Sequence, residues 1–330
     1  MHVGDRMKLT IMHGNIFDQL PKVPTESIDL VITSPPYWGL RDYGVEGQLG
    51  LEPTMELYLE NTMRWVKEVW RVLKPTGSFV LNIGDCFVGN GRYGTPSNNK
   101  INPNYRDAQP KNFKWPYGRF YKKKQLISVS SFAYCRIINE TDFVCRGEHI
   151  WAKSNVPTPI RSRLKHSHEK LFWFVKDANK YYFDKKPWMK KVSEISHERS
   201  KYAVNIEHFN SNAQDESTRL VKYPEETIEH SWRIIPIGAR KSGFEMEGKR
   251  PLRGHIAPFP EKLIRPYIQS LCPTEGIILD PFLGSGTTMR VAMEEGRNCM
   301  GIELKETYIE LTKKRLNWGH GLNVEYEEVK

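Results

Sequence analysis

Ser34, Pro35, Pro36 and Tyr37 follow directly on a run rich in apolar, β-branched residues, Ser27-Ile28-Asp29-Leu30-Val31-Ile32-Thr33. Such residue types suit one kind of chemistry. An amine on an aromatic ring is a poor nucleophile, because its lone pair is conjugated with the ring. Two acceptors, the Ser34 hydroxyl and a backbone carbonyl such as that of Pro35, can bond both N–H groups. They favour a pyramidal nitrogen with its lone pair aimed at an electrophile. Pro35 and Pro36 stiffen the loop and remove competing N–H donors. Tyr37 can stack on an unstacked base. Taken alone, the four residues fit a stiff turn or a polyproline II ligand site just as naturally. Their place after a buried strand, where parallel sheets put their chemistry, favours the catalytic reading.

A second constellation lies near the other end. Gly276-Ile277-Ile278-Leu279-Asp280 reads as a strand ending in an acid, followed by the turn Pro281-Phe282-Leu283-Gly284-Ser285-Gly286-Thr287-Thr288. Gly284 and Gly286 let the backbone approach a ligand, and the helix beyond offers its positive end. Glu303 ends the next strand, at the distance that places an acid on ribose hydroxyls in doubly wound folds. The residue three past Gly286 is Met289, so the full dinucleotide fingerprint is absent, and so is a Gly-Lys-Ser/Thr phosphate loop. A nucleoside-bearing ligand without a long phosphate chain fits best, although a purely structural glycine turn accounts for these few residues as well. Asp280 could hold an ammonium group, directly or through water. S-adenosyl-L-methionine combines an ammonium, a ribose diol and no phosphate.

Both constellations need a scaffold. A helix is predicted from a Thr54 N-cap, with Leu59, Met63, Val66, Trp70 and Leu73 at helical spacing and Lys74-Pro75-Thr76-Gly77 as its stop. Ser78 to Ile83 reads as a strand, completing a βαβ unit and implying a parallel sheet. Phe132 to Glu148 has core-like patterning, and Lys170 to Lys176 holds a buried strand. Glu261 to Leu271 reads as a helix, Met289 to Glu295 as a second, Asn298 to Leu304 as a strand and Thr307 to Asn317 as a final helix. The expected fold is α/β, a doubly wound, mostly parallel sheet with inserted loops and a small recognition region.

Together these residues resemble the S-adenosylmethionine-dependent amino-methyltransferases of DNA in their β arrangement, with the catalytic motif first and the cofactor motif last. Thr33-Ser34-Pro35-Pro36-Tyr37-Trp38 resembles the catalytic motif, and Asp280 to Thr288 the cofactor loop. His255-Ile256-Ala257-Pro258-Phe259-Pro260 resembles the segment lining the cofactor pocket, and Gly301-Ile302-Glu303 the ribose-binding acid. Leu73 to Asp85 and Arg163 to Lys176 are also similar to family segments. Where the family often has Gly-Asp at the adenine end of the cofactor, this chain has Gly14-Asn15.

The resemblance implies Ser34, Pro35, Pro36 and Tyr37 as catalytic residues. It implies Asn15, Phe259, Asp280, Phe282, Gly284, Ser285, Gly286, Thr287 and Glu303 as cofactor-binding. It further implies a Rossmann-like methyltransferase domain, with residues 1–87 and 131–183 as the catalytic half and 251–330 as the cofactor half. Residues 88–130 form a basic aromatic insert, and 184–250 a candidate target-recognition region. Serine at the first motif position goes with the N4 amine of cytosine, and aspartate with N6 of adenine. The expected role is site-specific methylation of double-stranded DNA, in restriction–modification or DNA protection. A homodimer and a companion endonuclease are left open. The alternatives are an adenine-specific enzyme, an RNA or protein amino-methyltransferase, and an inactive DNA-binding module. No Pro-Cys pair stands in a catalytic setting, which argues against C5 chemistry.

Composition agrees. Lysine and arginine total 49 against 39 acids, a net charge of +10, which suits a polyanionic partner. From Val88 to Ser130 nine basic residues meet one acid, Asp107, and seven aromatics, Tyr93, Tyr105, Phe113, Trp115, Tyr117, Phe120 and Tyr121. That mixture suits phosphates and unstacked bases; a solvated loop with a few aromatics tacked to the core is the plainer alternative. The five cysteines lack Cys-x-x-Cys spacing, and His149, His166 and His168 show no coherent ligand spacing, so neither disulfides nor a metal is expected. With no apolar leader or membrane-length run, a cytoplasmic location is the default.

Overall fold

The computed structural model describes residues 6–88, 114–116, 118–153, 164, 166–191, 226–228, 259–320 and 324–329. Its elements follow in chain order as β1 (Met7–His13), α1 (Ile16–Gln19), β2 (Ile28–Thr33), α2 (Met55–Val72), β3 (Leu73–Ile83), β4 (Cys86–Phe87), β5 (Leu126–Ile127), α3 (Val129–Glu140), β6 (Val144–Ala152), β7 (His168–Val175), β8 (Met189–Lys191), β9 (Glu226–Ile228), α4 (Glu261–Leu271), β10 (Ile277–Asp280), α5 (Thr287–Glu294), β11 (Asn298–Glu303), α6 (Glu306–Leu316) and β12 (Val324–Val329).

Eight strands form one sheet in the order β12-β1-β11-β10-β2-β3-β7-β6. Those from β12 to β3 run parallel, and β7 pairs antiparallel with both β3 and β6. β2 is buried along its whole length, as a strand covered on both faces must be. Its side chains alternate between two cores. Val31 packs with Met12, Phe79, Leu81, Leu279 and the stripe Trp65, Val66 and Val69 of α2. Leu30 and Ile32 pack with Leu9, Ile11, Val80, Ile278 and the helices α4, α5 and α6. The period of two in each strand thus builds a three-layer α/β/α stack.

The order of the strands creates the crevice. From β10 the chain passes through α5 to β11 on one side, whereas from β2 it passes through α2 to β3 on the other. β10 and β2 are neighbours, so their carboxyl ends flank a topological switch point, where open α/β sheets bind ligands. Asp280 ends β10 and Thr33 ends β2, and the Thr33 hydroxyl donates to the Asp280 carboxylate at 2.6 Å. Two motifs 247 residues apart in sequence thereby meet.

Several boundaries differ from expectation. Thr54 caps α2 as predicted, accepting the Leu57 N–H at 3.2 Å. The helix ends at Val72, however, and Leu73 opens β3 by pairing with Ile28. Lys74 to Gly77 belong to the strand, where Pro75 can supply no ladder N–H; the pairing of β2 with β3 is irregular between Ile28 and Leu30. α5 begins at Thr287 rather than Met289, because Gly286 in the left-handed region (φ 76°) is already its cap. The core-like stretch 132–148 splits into the end of α3 and the start of β6. β12, with its Val-Glu-Tyr-Glu-Glu-Val sequence, has no counterpart in the sequence reading; it forms the sheet edge beside β1.

Most of 88–130 and 184–250 lies outside the described residues, as do His255 to Pro258. In the described part of the basic insert, Trp115 and Tyr121 pack on the buried Trp38, with ring centroids 5.3 and 5.8 Å away. These two aromatics are therefore tacked to the core rather than free to meet a base. Phe120 is 75% exposed and stays available. Cys86, Cys272 and Cys299 are buried, Cys145 is half-buried and Cys135 exposed. Among the described residues no helix is long and apolar enough to cross a membrane.

Candidate active site

The cofactor turn commits much of its backbone to hydrogen bonds with itself and with the strand ends. The Phe282 N–H donates to Asp280 (3.1 Å), Leu283 N–H to the Ile302 carbonyl (2.9 Å), Gly284 N–H to Glu303 (2.8 Å) and Gly286 N–H to the Leu283 carbonyl (3.0 Å). A phosphate-binding loop works by leaving such groups free; here four of them are committed. Gly284 and Gly286 adopt φ 57° and 76°. A Cβ on Gly286 would also stand 2.5 Å from Cγ2 of Thr312, so this glycine lets α6 pack against the turn.

A cavity opens above this turn. Asn15, Phe259, Asp280, Phe282, Gly284, Ser285, Thr287 and Glu303 all line it, together with Ser34 and Pro36. Of the expected cofactor residues only Gly286 is not on the wall, and its role is the packing just described. Ser285 and Thr287 are braced from behind by the buried Arg315. Its guanidinium donates to the Ser285 carbonyl (3.3 Å) and the Thr287 hydroxyl (2.9 Å), and pairs with Glu261 at 2.6 Å. Sequence reasoning missed Arg315, since a lone arginine in a charged helix reads as surface.

Asp280 is 1% exposed, and among the described residues no cation stands beside it. The Thr33 and Thr288 hydroxyls each donate at 2.6 Å, to different oxygens. With the Phe282 N–H, three of its roughly four acceptor positions are used. Burial pushes its carboxyl up to about 6, against those hydrogen bonds. Glu303, at the end of β11, accepts the Gly284 N–H through one oxygen and the Lys305 N–H (2.7 Å) through the other. Burial pushes this carboxyl up to about 7. Both acids are thus desolvated, and each keeps room for a further donor, where a ligand's ammonium or hydroxyl group would be most useful.

Asn15 caps α1 by accepting the Phe17 N–H (3.0 Å) and donates its amide to the Gly47 carbonyl (3.1 Å). An aspartate could not make the second bond. The departure from Gly-Asp is therefore a tether: it holds the loop around Tyr43, Val45, Gly47, Gln48 and Leu49 against the cavity. Lys305 bonds the Tyr43 carbonyl from the other side.

A second cavity adjoins the first. Ser34, Pro35, Tyr37, Arg41, Tyr43, Asn82, Trp151, Lys153, Glu169 and Phe259 are on its wall. Ser34, Tyr43 and Phe259 line both, so Ser34 stands where the two spaces meet. Ser34 Oγ lies 3.1 Å from Tyr37 Oη, which also reaches Glu169 (2.9 Å) and Asn82 (3.2 Å). Pro36 also has a structural contact. Its carbonyl accepts the Tyr58 hydroxyl (3.0 Å), so it anchors the loop to α2. Trp38, fully buried, donates to the Glu52 carbonyl (2.9 Å) and fixes the other end. Asn82 and Glu169 lie in two of the segments that resemble the family's, though no role was expected of either, and Lys153 lies outside them; the antiparallel register of β3, β7 and β6 brings the three together.

Comparison with known proteins agrees with this geometry. M.XycI, a Type II methyltransferase of Xanthomonas campestris pv. cyanopsidis, is 32% identical over 320 residues, covering 96% of this chain and 89% of its own. The PvuII DNA methyltransferase (cytosine-N4-specific) has the same fold, with a TM-score of 0.57 at 20% identity over 98% of each chain. So does a putative DNA modification methylase of Thermus thermophilus in complex with S-adenosyl-L-methionine, at 0.54 and 23% over 96% of this chain and 99% of that one. The sequence profile of the DNA methylases of the N6/N4 type matches residues 28–314, and this chain belongs to that family.

Proposed function

We propose that this protein transfers a methyl group from S-adenosyl-L-methionine to the N4 amine of a cytosine turned out of duplex DNA. The observation that carries the reading is the place of Ser34, on the wall of the cavity above the cofactor turn and of a second polar pocket at once. The residues present fit the cofactor. Glu303 suits the ribose hydroxyls, Asp280 keeps an acceptor position for an ammonium, and Phe259, Phe282, Leu283 and Ile302 offer apolar walls. The four committed N–H groups of the turn disfavour a phosphate. When bound, S-adenosyl-L-methionine supplies the electrophilic methyl. Ser34 and a loop carbonyl hold the amine, and Tyr37 orients the serine. Serine at position 34 and the likeness to a cytosine-N4-specific fold relative support cytosine over adenine. Residues 88–130 and 184–250 are the segments we assign to reading the target, in a restriction–modification setting.

Incubation with mixed-sequence duplex DNA and isotope-labelled cofactor, then digestion to nucleosides, tests this. Label is expected in N4-methylcytosine. Label in N6-methyladenine would overturn the base, and none in DNA would overturn the substrate.

Cofactor affinity should depend on pH in a direction set by Glu303. It must be ionised to accept from two hydroxyls, and its pKa is raised to about 7 before binding. Affinity is therefore full at alkaline pH and lost as pH falls through about 7, approaching tenfold per pH unit. Asp280 adds a second loss below about 6. Calorimetry across pH 5.5–8.5 should show Glu303→Gln weakened and keeping only the lower step. An unchanged profile in that variant would remove Glu303 from the site.

A further inference from the structure

The second cavity contains a carboxylate that the reading above does not use. Methylating a neutral amine leaves a surplus proton. The nitrogen lone pair forms the new N–C bond, the electron pair of the broken S–C bond returns to sulfur, and the cationic nitrogen must then release one N–H proton. Ser34 and a backbone carbonyl can accept hydrogen bonds from that nitrogen, but neither can keep a proton near neutral pH. Among the described residues, Glu169 is the one carboxylate on this wall.

The hydrogen bonds around Tyr37 have a single consistent direction. Asn82 donates its amide to the Lys170 carbonyl at 3.1 Å, which leaves its oxygen facing Tyr37. Glu169 is ion-paired with Lys153 and also offers Tyr37 only an acceptor. Tyr37 Oη has one proton, and the ionised partner at 2.9 Å is the stronger acceptor. It therefore does not donate to Ser34. The Ser34 hydroxyl must donate to Tyr37, which leaves the serine lone pairs for the substrate amine. The close approach at Gly84 keeps this chain tight: a Cβ there would stand 2.7 Å from the Tyr37 ring and 3.2 Å from Cγ of Glu169.

Resting on the amino-methyltransferase reading, we propose that Glu169 is the end of a proton relay running from the substrate amine through Ser34 and Tyr37. In one concerted shift the amine proton passes to Ser34 Oγ, the serine proton to Tyr37 Oη, and the tyrosine proton to Glu169 Oε2. The electron pair of the broken N–H bond returns to nitrogen, and serine and tyrosine end as they began, neutral. The tyrosine is held well above its ordinary range by burial and by Glu169, which disfavours a free tyrosinate along the way. The groups facing Glu169 and this cavity are Lys153 beyond β6, Tyr37, Arg41 and Tyr43 from the loop after β2, and the neutral Asn82 of β3. Glu169 acts through Tyr37 and is in that sense a positioning residue.

The test is the single-turnover methylation rate of the full chain on duplex DNA, with cofactor binding by calorimetry and base extrusion by a fluorescent cytosine analogue as parallel readouts. Glu169→Gln should be about a hundredfold slower, with both binding readouts unchanged. Tyr37→Phe, which keeps the ring and the Lys153–Glu169 pair, should show the same loss of rate with the same unchanged binding. It stands in for Glu169→Gln if that variant does not fold. A wild-type rate in either folded variant overturns the relay while leaving the DNA reading intact. A wild-type protein that labels no nucleoside overturns that reading, and the relay falls with it.

Discussion

Ser34→Ala is expected to lower turnover by about 100-fold or more, with cofactor affinity changed less than about threefold. Removing one preorganised polar group that acts on developing charge costs a factor of this order. The serine is one of two acceptors that pull the amine away from ring conjugation, and a methyl group cannot replace it. The fold should tolerate the change. Ser34 is half-buried, and its side chain has one hydrogen bond, to Tyr37, so about 1 kcal/mol of stability is at stake. Steady-state kinetics with calorimetry separates the two effects. Unchanged turnover would mean that the amine is held by other groups, and the role given to the serine would fall.

Asp280→Asn should separate stability from cofactor binding in the opposite sense. At neutral pH the native protein holds this carboxylate, 1% exposed and with no cation beside it among the described residues, at a cost. Its pKa is raised from 3.8 to about 6, so the folded state binds protons more readily than the unfolded one between those values. Stability from this group is present below about 4 and is lost as pH rises through about 6, a penalty on the order of 3 kcal/mol. Asparagine removes it and keeps the shape. Its oxygen can accept from Thr33 and the Phe282 N–H, and its amide can donate to Thr288, whose hydroxyl rotates to accept. The cofactor-free variant should melt no lower than wild type at pH 8. It should nonetheless bind S-adenosyl-L-methionine roughly 10- to 100-fold more weakly, the value of a charge-assisted hydrogen bond. Thermal unfolding with and without cofactor reads both. Normal cofactor affinity in the variant would remove Asp280 from the site and leave it a purely structural tie between β2 and β10.

The sequence by itself determined the chemistry-bearing loops and the layers under them. Hydrophobic periodicity marked β2, α2, α4, β10, β11 and α6 to within a few residues, because each buries a face whose repeat is written locally. The paired motifs at Ser34 and Asp280 were legible for a similar reason, since proline and glycine fix backbone shape without help from the rest of the chain. What needed long-range contacts was not. β12 is rich in glutamate and is a strand because β1 offers it an edge. Leu73 reads as helical and is a strand residue because Ile28 pairs with it. The hydroxyls of Thr33 and Thr288 acquire their role once the switch point brings β2 beside β10. Asn82 and Glu169 lie in segments with a family resemblance but show no role locally; antiparallel pairing at the far side of the sheet aims both at Tyr37 and sets Lys153 beside Glu169. Local pattern specifies what a segment buries. Which polar groups then face one another depends on strand order and register, and these are set by the packing of the whole chain.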